Sequence, residues 1–471
     1  MVWSFEQFSD LIALRDDCGN SLSYAQLKQE GDDLCRTVDG RCLVFVLCRN
    51  ELGSVLGYTA FVNGGIVPLL LNAGMESGLR DHLIRLYRPS FLWIPDDMRD
   101  SLADMREVYS AHGYVLLATD FPKGYAINPE LCLLLTTSGS TGSPKLVRQS
   151  YANVRANAES IVQYLALDQS ERPITTLPMN YTYGLSIINS HLLVGATVLL
   201  TDRPLIQREF WQFFREQGAT SFGGVPYTYE MLDKLRFTRM DLPSLRTMTQ
   251  AGGKLSLALH EKFAEYAAEQ GKNFVVMYGQ CEATARMGYL PTEKAIEKCG
   301  SMGVAIPNGR FRLIDDAGCE IMTPNTTGEL VYEGANVTLG YAECGEDLNK
   351  GDERGGILHT GDMAQFDEDG YYYIVGRKKR FLKIYGNRVN LDEIDRMIQA
   401  HYENLDCASA GSDDHMMLYI TDETMLDEVK TFVSHKTGLN PAAFQVIALR
   451  EIPRNDAGKV LYQKLSEYGN A

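Results

Sequence analysis

The strongest constraint in this sequence is a segment rich in glycine and hydroxyl residues, Thr136–Lys145, which directly follows the apolar run Leu131–Leu135. It reads Thr-Thr-Ser-Gly-Ser-Thr-Gly-Ser-Pro-Lys. Glycine permits the tight turns that such a loop needs, and hydroxyl and exposed N–H groups donate to anionic oxygens. Lys145 supplies a point charge. The segment therefore predicts a phosphate-binding loop at the end of a buried strand.

Two other interpretations of this loop have to be weighed. A Walker-type P-loop ends in Gly-Lys-Ser/Thr, whereas Pro144 precedes Lys145 here, and proline has no N–H to give a phosphate. The spacing therefore excludes that motif. A flexible Ser/Gly-rich linker is the alternative for the segment taken alone.

The rest of the chain favours an α/β enzyme with more than one domain. A chain of 471 residues is too long for one ordinary core, and 45% hydrophobic with 23% charged residues is typical of a globular enzyme. Short aliphatic runs predict strands buried on both faces, with helical stretches between them. These runs are Cys42–Cys48, Leu131–Leu135, Ala196–Leu200 and Phe274–Met277.

The composition changes near residue 376, where a basic stretch begins. Six of the twelve residues from Arg377 to Arg388 are basic, which by itself is also typical of a solvated face. After it, Asn390 is placed to cap a helix with an apolar side. We therefore predict a large N-terminal domain, residues 1–378, with layered sheets, and a small α+β domain, residues 379–471.

Charge and cysteine usage narrow the class of protein further. A net charge of −16 argues against a nucleic-acid partner, whereas a small anion needs only a few local cations. The ten cysteines are scattered without a C-x-x-C pair, which favours reduced thiols. The N-terminal residues do not resemble a signal peptide, and no apolar run approaches the length of a membrane span. We therefore expect a cytoplasmic protein.

The loop and four further motifs, taken together, resemble the adenylate-forming superfamily of acyl-CoA synthetases, nonribosomal-peptide adenylation domains and luciferases. The motifs occur in the family's order along the chain. They are Thr136–Lys145, Tyr278-Gly-Gln-Cys-Glu282, Thr360-Gly-Asp362, the junction segment from Gly376 to Val389, and Asn455-Asp-Ala-Gly-Lys459. The resemblance implies ATP-dependent conversion of a carboxylic acid to an acyl-AMP, with release of pyrophosphate and then transfer to a pantetheine thiol.

The resemblance also implies roles for individual residues at the nucleotide. Glu282 would ligate Mg²⁺, and both Glu282 and Thr141 would take part in catalysis. Tyr278 would stack on adenine, and Gly252 and Gly253 would let the backbone approach the base closely. Asp362 would accept hydrogen bonds from the ribose, and Arg377 would support the ribose or phosphates. The other expected nucleotide contacts are Thr137, Ser138, Gly139, Ser140, Gly142, Lys145 and Gly279.

Two lysines carry the mechanistic expectations. Lys459 would lie between the carboxylate and the α-phosphate, where a cation favours the transition state over the ground state. Lys379 falls at the family's hinge, which implies a mobile C-terminal domain that rotates between two half-reactions.

The acid itself is less constrained. Tyr181, Tyr183, Gly223, Gly224 and Met248 are the candidate pocket residues, although tyrosines in such segments are as often plain core. Amino-acid-activating relatives carry an aspartate in this region, and no acidic residue lies between Leu177 and Gly195. A buried ammonium without a countercharge is costly, so an acid without a free α-amino group is favoured.

The chain departs from the family where Cys281 replaces the usual threonine beside Glu282. A thiol is a weaker donor than a hydroxyl, so weaker use of ATP is expected unless the cysteine packs into the core. The thiol acceptor stays open between coenzyme A and the phosphopantetheine of an acyl carrier protein. The alternatives are an amino-acid adenylating ligase, a luciferase-like oxidoreductase on the same fold, and a degenerate non-catalytic relative.

Overall fold

The computed structural model describes residues 2–102, 104–121, 124–136, 145–384, 387–402, 405–412, 414–454 and 460–468. Contacts divide the chain into two compact units. The first comprises Met1–Phe311 and Tyr332–Leu358, and the second Arg312–Val331 and His359–Ala471. Residues 359–378 thus group with the C-terminal part, and the boundary at 378/379 stays a prediction about where the chain bends.

The helices of the described residues lie mostly between strands, as the sequence predicts. They are α1 (Tyr24–Arg36), α2 (Leu52–Asn63), α3 (Ser77–Tyr87), α4 (Tyr151–Leu165), α5 (Thr182–Leu193), α6 (Arg208–Glu216), α7 (Pro226–Lys234), α8 (Leu257–Glu269), α9 (Leu391–His401), α10 (Leu426–Thr437) and α11 (Tyr462–Tyr468).

The strands β1 to β20 lie between residues 12 and 342, and most of them build the first unit. They are β1 (Ile12–Asp16), β2 (Ser21–Ser23), β3 (Leu43–Cys48), β4 (Val67–Asn72), β5 (Phe91–Pro95), β6 (Arg106–Ala111), β7 (Tyr114–Ala118), β8 (Leu131–Thr136), β9 (Leu146–Ser150), β10 (Pro173–Ile174), β11 (Val198–Leu200), β12 (Ser221–Gly224), β13 (Thr247–Gln250), β14 (Asn273–Gly279), β15 (Arg286–Leu290), β16 (Val304–Ala305), β17 (Arg310–Ile314), β18 (Glu320–Ile321), β19 (Gly328–Glu333) and β20 (Gly340–Ala342). Of these, β17 to β19 belong to a sheet described below with the second unit.

Two mixed sheets form the first unit. One has the order β16-β15-β14-β13-β12-β10-β11-β1-β2 and the other β20-β9-β8-β4-β3-β5-β7-β6. The predicted runs at β3, β8, β11 and β14 are strands, and β3 is buried along its whole length. Helix α1 begins as predicted, because Ser23 and Gln26 form a reciprocal capping box.

The second unit contains most of a five-stranded sheet, a two-stranded ribbon and a three-stranded sheet. Its further strands are β21 (Ile357–Phe366), β22 (Tyr372–Arg377), β23 (Phe381–Ile384), β24 (Asn387–Asn390), β25 (Cys407–Ser412), β26 (His415–Ile420) and β27 (Phe444–Ala448). The five-stranded order is β18-β17-β19-β21-β22. Asn390 caps α9 by accepting from the Asp392 N–H, and Leu391, Ile394 and Ile398 of that helix are buried. The predicted mixed α/β fold class is confirmed.

No helix among the described residues is both long and apolar enough to cross a membrane.

Candidate active site

The motif around Glu282 forms a tight turn between β14 and β15. A Cβ at Gly279 would lie 1.8 Å from the carbonyl oxygen of Ala285, so only glycine fits at the end of β14. Thr284 has a φ of +65°, which is rare for a branched residue, and its hydroxyl donates to the Asn336 carbonyl at 2.7 Å. Strained backbone of this kind is typical of functional turns.

Glu282 is held by residues far along the chain that the sequence motifs did not single out. The Tyr341 hydroxyl donates to Glu282 Oε1 at 2.7 Å. The Glu282 backbone carbonyl accepts from Arg354 Nη1 at 2.9 Å and from the Thr338 hydroxyl at 2.9 Å. Burial, with the Glu282 carboxylate beside it, raises the pKa of Tyr341 to about 12, so its hydroxyl stays protonated and donates. The carboxylate is therefore fixed in position.

Two cations, Lys145 and Arg354, lie near the ring of Tyr341, whose hydroxyl holds Glu282. Lys145 Nζ is 5.7 Å from the centre of the Tyr341 ring and pairs with Glu343 Oε1 at 2.5 Å. The Arg354 guanidinium is 4.8 Å from the same ring. The Lys145–Glu343 pair is more than half exposed on both sides, so it contributes little and can be exchanged for a phosphate.

The residues around Tyr341 border an open groove of about 440 Å³. Its lining residues are Gly340, Tyr341, Glu343, Asp347, Lys350, Glu353 and Arg354. In the described residues, Glu282 Oε2 accepts no hydrogen bond, which leaves that oxygen for a cation. One fixed carboxylate, completed by phosphate oxygens and water, matches the ligands that Mg²⁺ takes in nucleotide enzymes. The oxygen ligands available at Glu282 therefore fit the predicted Mg²⁺.

The predicted adenine contacts are in the same unit. Tyr278 is the next-to-last residue of β14 and is partly exposed, and its ring meets Phe311 edge-on at 6.2 Å between centroids. Gly252 has a φ of +84°, and a Cβ there would lie 2.6 Å from the Tyr181 hydroxyl. A Cβ at Gly253 would approach the Pro226 ring to 3.1 Å. The glycine pair thus lets the backbone pass close to the predicted acid pocket.

Asp362 and Arg377 face each other in the second unit. They are partners in the antiparallel ladder of β21 and β22, and Arg377 Nε lies 2.8 Å from Asp362 Oδ1. Asp362 is almost fully buried, whereas about half of the Arg377 side chain is exposed. The pair places a carboxylate and a guanidinium together, as their predicted roles at one nucleotide require.

Several predicted residues lie outside the part of the chain that the structure describes. They are the loop residues Thr137, Ser138, Gly139, Ser140, Thr141 and Gly142, and the catalytic candidate Lys459. The backbone of Lys379 lies in a short 3-10 helix, Lys378–Arg380, between β22 and β23, and its side chain is not among those described.

The predicted acid pocket divides between two faces of one sheet. The Tyr183 hydroxyl lies 2.7 Å from Thr249 Oγ1, and a Cβ at Gly223 would lie 2.9 Å from that hydroxyl oxygen. Gly223 and Thr249 are ladder partners, as are Phe222 and Met248. Because side chains alternate along a strand, Met248 faces away from Tyr183, and a Cβ at Gly224 would meet Thr228 and Tyr229. The structure brings together Tyr183, Gly223 and Thr249, but not Gly224 or Met248.

Arg286 is a residue of this pocket that the sequence analysis missed. It is 2% exposed and is the ladder partner of Gly279, directly beside the Glu282 turn. Its Nε donates to Ser186 Oγ at 3.0 Å and its Nη1 to the Tyr164 hydroxyl at 3.0 Å. The guanidinium carbon is 5.2 Å from the centre of the Tyr183 ring. The only sign of it in the sequence is that a charged residue follows Glu282 by four positions.

Cys281 packs against the apolar core of the first unit. Burial, with the Glu282 carboxylate as the next cause, raises the pKa of its thiol, so the sulfur is neutral. This environment favours the interpretation in which the cysteine is a packing residue rather than a weakened phosphate ligand.

Comparisons with known proteins agree with this geometry. The model of the AMP-binding enzyme family matches residues 2–342. A probable CoA ligase, CCL5, of Humulus lupulus is 27% identical over 394 residues, which cover 79% of this chain and 70% of that protein. A 2-succinylbenzoate–CoA ligase of Bacillus cytotoxicus is 26% identical over 458 residues, covering 90% and 92%.

Solved structures show the same fold. An o-succinylbenzoate CoA synthetase from Bacillus subtilis, in complex with its acyl-adenylate intermediate, has a TM-score of 0.78 at 22% identity and covers 98% of this chain and 97% of that one. ATP-bound MatB from Rhodopseudomonas palustris has a TM-score of 0.78 at 21% identity, with 98% of each chain covered.

The fold and the nucleotide motifs define an adenylate-forming enzyme. The chain belongs to the AMP-binding enzyme family, whose model spans well over half of it. The predictions of the family, the fold class and an AMP-forming acid–thiol ligase are confirmed.

Proposed function

We propose that this enzyme uses ATP and Mg²⁺ to activate a carboxylic acid that lacks a free α-amino group, and that the acyl group passes to the thiol of coenzyme A. The observation that carries the proposal is the fixed Glu282 carboxylate, held by Tyr341 in the turn that the nucleotide motif forms. Attack of one anion on another requires neutralisation at the α-phosphate, which cations beside Glu282 can supply.

The residues of the first unit divide this work. Glu282 holds Mg²⁺, which would neutralise charge on the phosphate oxygens when bound. Lys145 leaves Glu343 for the triphosphate, and Tyr278 with Gly252 and Gly253 borders the base. In the second unit, Asp362 binds the ribose and Arg377 supports the ribose or phosphates. Lys379 is the hinge, and Lys459 is the cation of the adenylation step.

Two observations support the choice of acid and acceptor. The pocket segment from Leu177 to Gly195 contains no carboxylate, and the nearby cation Arg286 would repel a substrate ammonium. The curated relatives at 90% coverage of this chain are CoA ligases, which favours coenzyme A over a carrier protein. A carrier-bound phosphopantetheine presents the same thiol and is the second candidate acceptor.

The test is acid-dependent exchange of pyrophosphate into ATP, followed by thioester formation with coenzyme A or with a phosphopantetheinyl carrier protein. Glu282→Gln keeps an oxygen that accepts from Tyr341 but removes the charge, so exchange should fall about 100-fold or more. Glu297→Gln is the matched control, because this exposed glutamate forms ion pairs with its chain neighbours Lys294 and Lys298. Undiminished exchange in Glu282→Gln would refute the assigned role.

A further inference from the structure

Arg286 is a buried cation that has neutral partners. Its described hydrogen bonds go to the hydroxyls of Ser186 and Tyr164 and to Met277 Sδ, the last at 3.3 Å. Among the residues that the structure describes, no Asp or Glu forms an ion pair with Arg286, and its Nη2 makes no hydrogen bond. Arginine is almost never buried unless it is paired, because an uncompensated charge is costly in a protein interior.

The groups around Arg286 add no negative charge. Burial raises the pKa of both Tyr164 and Tyr183, so their hydroxyls stay neutral. Burial, together with the nearby Arg286 charge, lowers the pKa of His191 to about 4, so that imidazole is neutral near pH 7. The Tyr183 ring face stabilises the guanidinium by a cation–π contact but does not neutralise it. The surroundings of Arg286 therefore carry a net positive charge.

The position of Arg286 connects this charge to the substrate. Its ladder partner Gly279 belongs to the motif that carries Tyr278 and Glu282, so the guanidinium lies one strand away from the nucleotide turn. Its contacts Ser186 and Tyr183 belong to α5, the helix that the sequence assigned to the acid pocket. An acid joined to AMP at the turn would therefore extend toward Tyr183 and Arg286.

We propose that Arg286 binds a second carboxylate of the substrate, so that the acid that this enzyme activates is a dicarboxylic acid. The inference rests on the proposed function and makes its acid more specific. A guanidinium presents parallel N–H donors that match a carboxylate. The N–H groups of Nη2 are not used by the described residues and can therefore bind it. The substrate then supplies the countercharge that the chain does not, and a monoacid leaves the cation unpaired.

Matched acid pairs test this inference. Succinate is compared with isocaproate, and terephthalate with cumate, because an isopropyl group replaces the distal carboxylate at similar size. The wild-type enzyme should use the dicarboxylic member at least about tenfold better in kcat/KM, the factor that a hydrogen bond to a charged group supports. Pyrophosphate exchange measures activation of the proximal carboxylate, which both acids of a pair carry.

Variants at Arg286 separate charge recognition from folding. Arg286→Met should reverse the preference within each pair, while activity with the isopropyl member is retained. Arg286→Lys should keep part of the preference, and Tyr164→Phe, which removes one hydroxyl but no charge, should keep its direction. Melting temperature and ATP binding of each variant establish that it is folded.

The remaining outcomes contradict one claim or the other. A wild-type preference for the isopropyl acids, or a dicarboxylic preference that survives in folded Arg286→Met, overturns the role of Arg286. Exchange with neither member of any pair, nor with any monocarboxylic acid, contradicts the proposed function itself.

Discussion

Two buried arginines of the first unit, Arg148 and Arg286, show how differently this fold treats the same side chain. Arg148 on β9 is fully buried, and its nitrogens are saturated by backbone carbonyls and one carboxylate. Its acceptors are the carbonyls of Leu339, Tyr341, Lys350 and Gly351 and the Oε2 of Glu353. Arg286 on β15 has hydroxyl, thioether and ring partners instead.

The difference separates a structural cation from a functional one. Arg148 ties the segment 339–353, which carries Tyr341, to the strand that follows the phosphate loop. Its positive charge is compensated within the chain, so removing it leaves acceptors unpaired. The charge of Arg286 has no such compensation among the described residues, which is typical of a group that meets its partner in the substrate.

The largest expected effect is on stability at Arg148. Arg148→Met should lower the free energy of unfolding by about 3–5 kcal/mol, because it breaks a buried ion pair and leaves several carbonyl oxygens without a hydrogen-bond donor. Denaturant unfolding measures this, with Arg155→Met as control, since that exposed arginine forms an i,i+4 pair with Glu159. A loss no larger than the control's would show that Arg148 is not the anchor of this segment.

The next effect concerns acid stability through His191. Its pKa is about 4 in the folded protein against 6.5 for the free side chain. The unfolded state therefore binds the proton first, and stability falls as the pH drops from about 6.5 to 4, by about 3 kcal/mol. The free energy of unfolding of His191→Gln should therefore change less with pH over this range. Because the Arg286 charge helps to lower the pKa of His191, Arg286→Met should also weaken this pH dependence of stability. An unchanged pH dependence would mean that the Arg286 charge does not act on His191.

Arg286→Met itself should change stability by less than about 2 kcal/mol, in either direction. Replacing an uncompensated buried charge with an apolar side chain of similar length is often neutral or stabilising. Thermal and denaturant unfolding beside Arg148→Met make the comparison direct. Equal losses in the two variants would mean that both arginines are structural.

The smallest expected effect is at Ser186, which accepts from Arg286 Nε. Ser186→Ala removes the hydrogen bond from Arg286 Nε and the one that Ser186 Oγ donates to the Tyr183 carbonyl at 2.7 Å, whereas Arg286 keeps its contacts with Tyr164 and the Tyr183 ring. We expect a modest rise in KM for the preferred acid with little change in kcat. A large fall in kcat would assign Ser186 a role in the chemical step.

The sequence predicted the strands and the motif residues because these signals are local. Continuous apolar runs gave β3 and β8, and Ser23 with Gln26 marked the start of α1. Met248 was assigned to the pocket because sequence position alone does not tell which face of β13 a side chain takes. That face follows from the pairing of β12 with β13.

The partners of the site residues could not be predicted in this way. Tyr341 is 59 residues from Glu282, and Ser186 is 100 residues from Arg286. Such contacts arise when distant strands and helices pack together, and no local pattern records them. The absence of a described carboxylate at Arg286 is likewise a property of the folded pocket.

The most direct test of the central claim follows the oxygen of the acid. The wild-type enzyme is given ATP, coenzyme A and an acid whose carboxylate carries heavy oxygen, and the AMP formed is examined by mass spectrometry. Attack of the carboxylate on the α-phosphate predicts one labelled oxygen in AMP for each thioester made. Label in inorganic phosphate, with ADP as the nucleotide product, would contradict an acyl-adenylate intermediate.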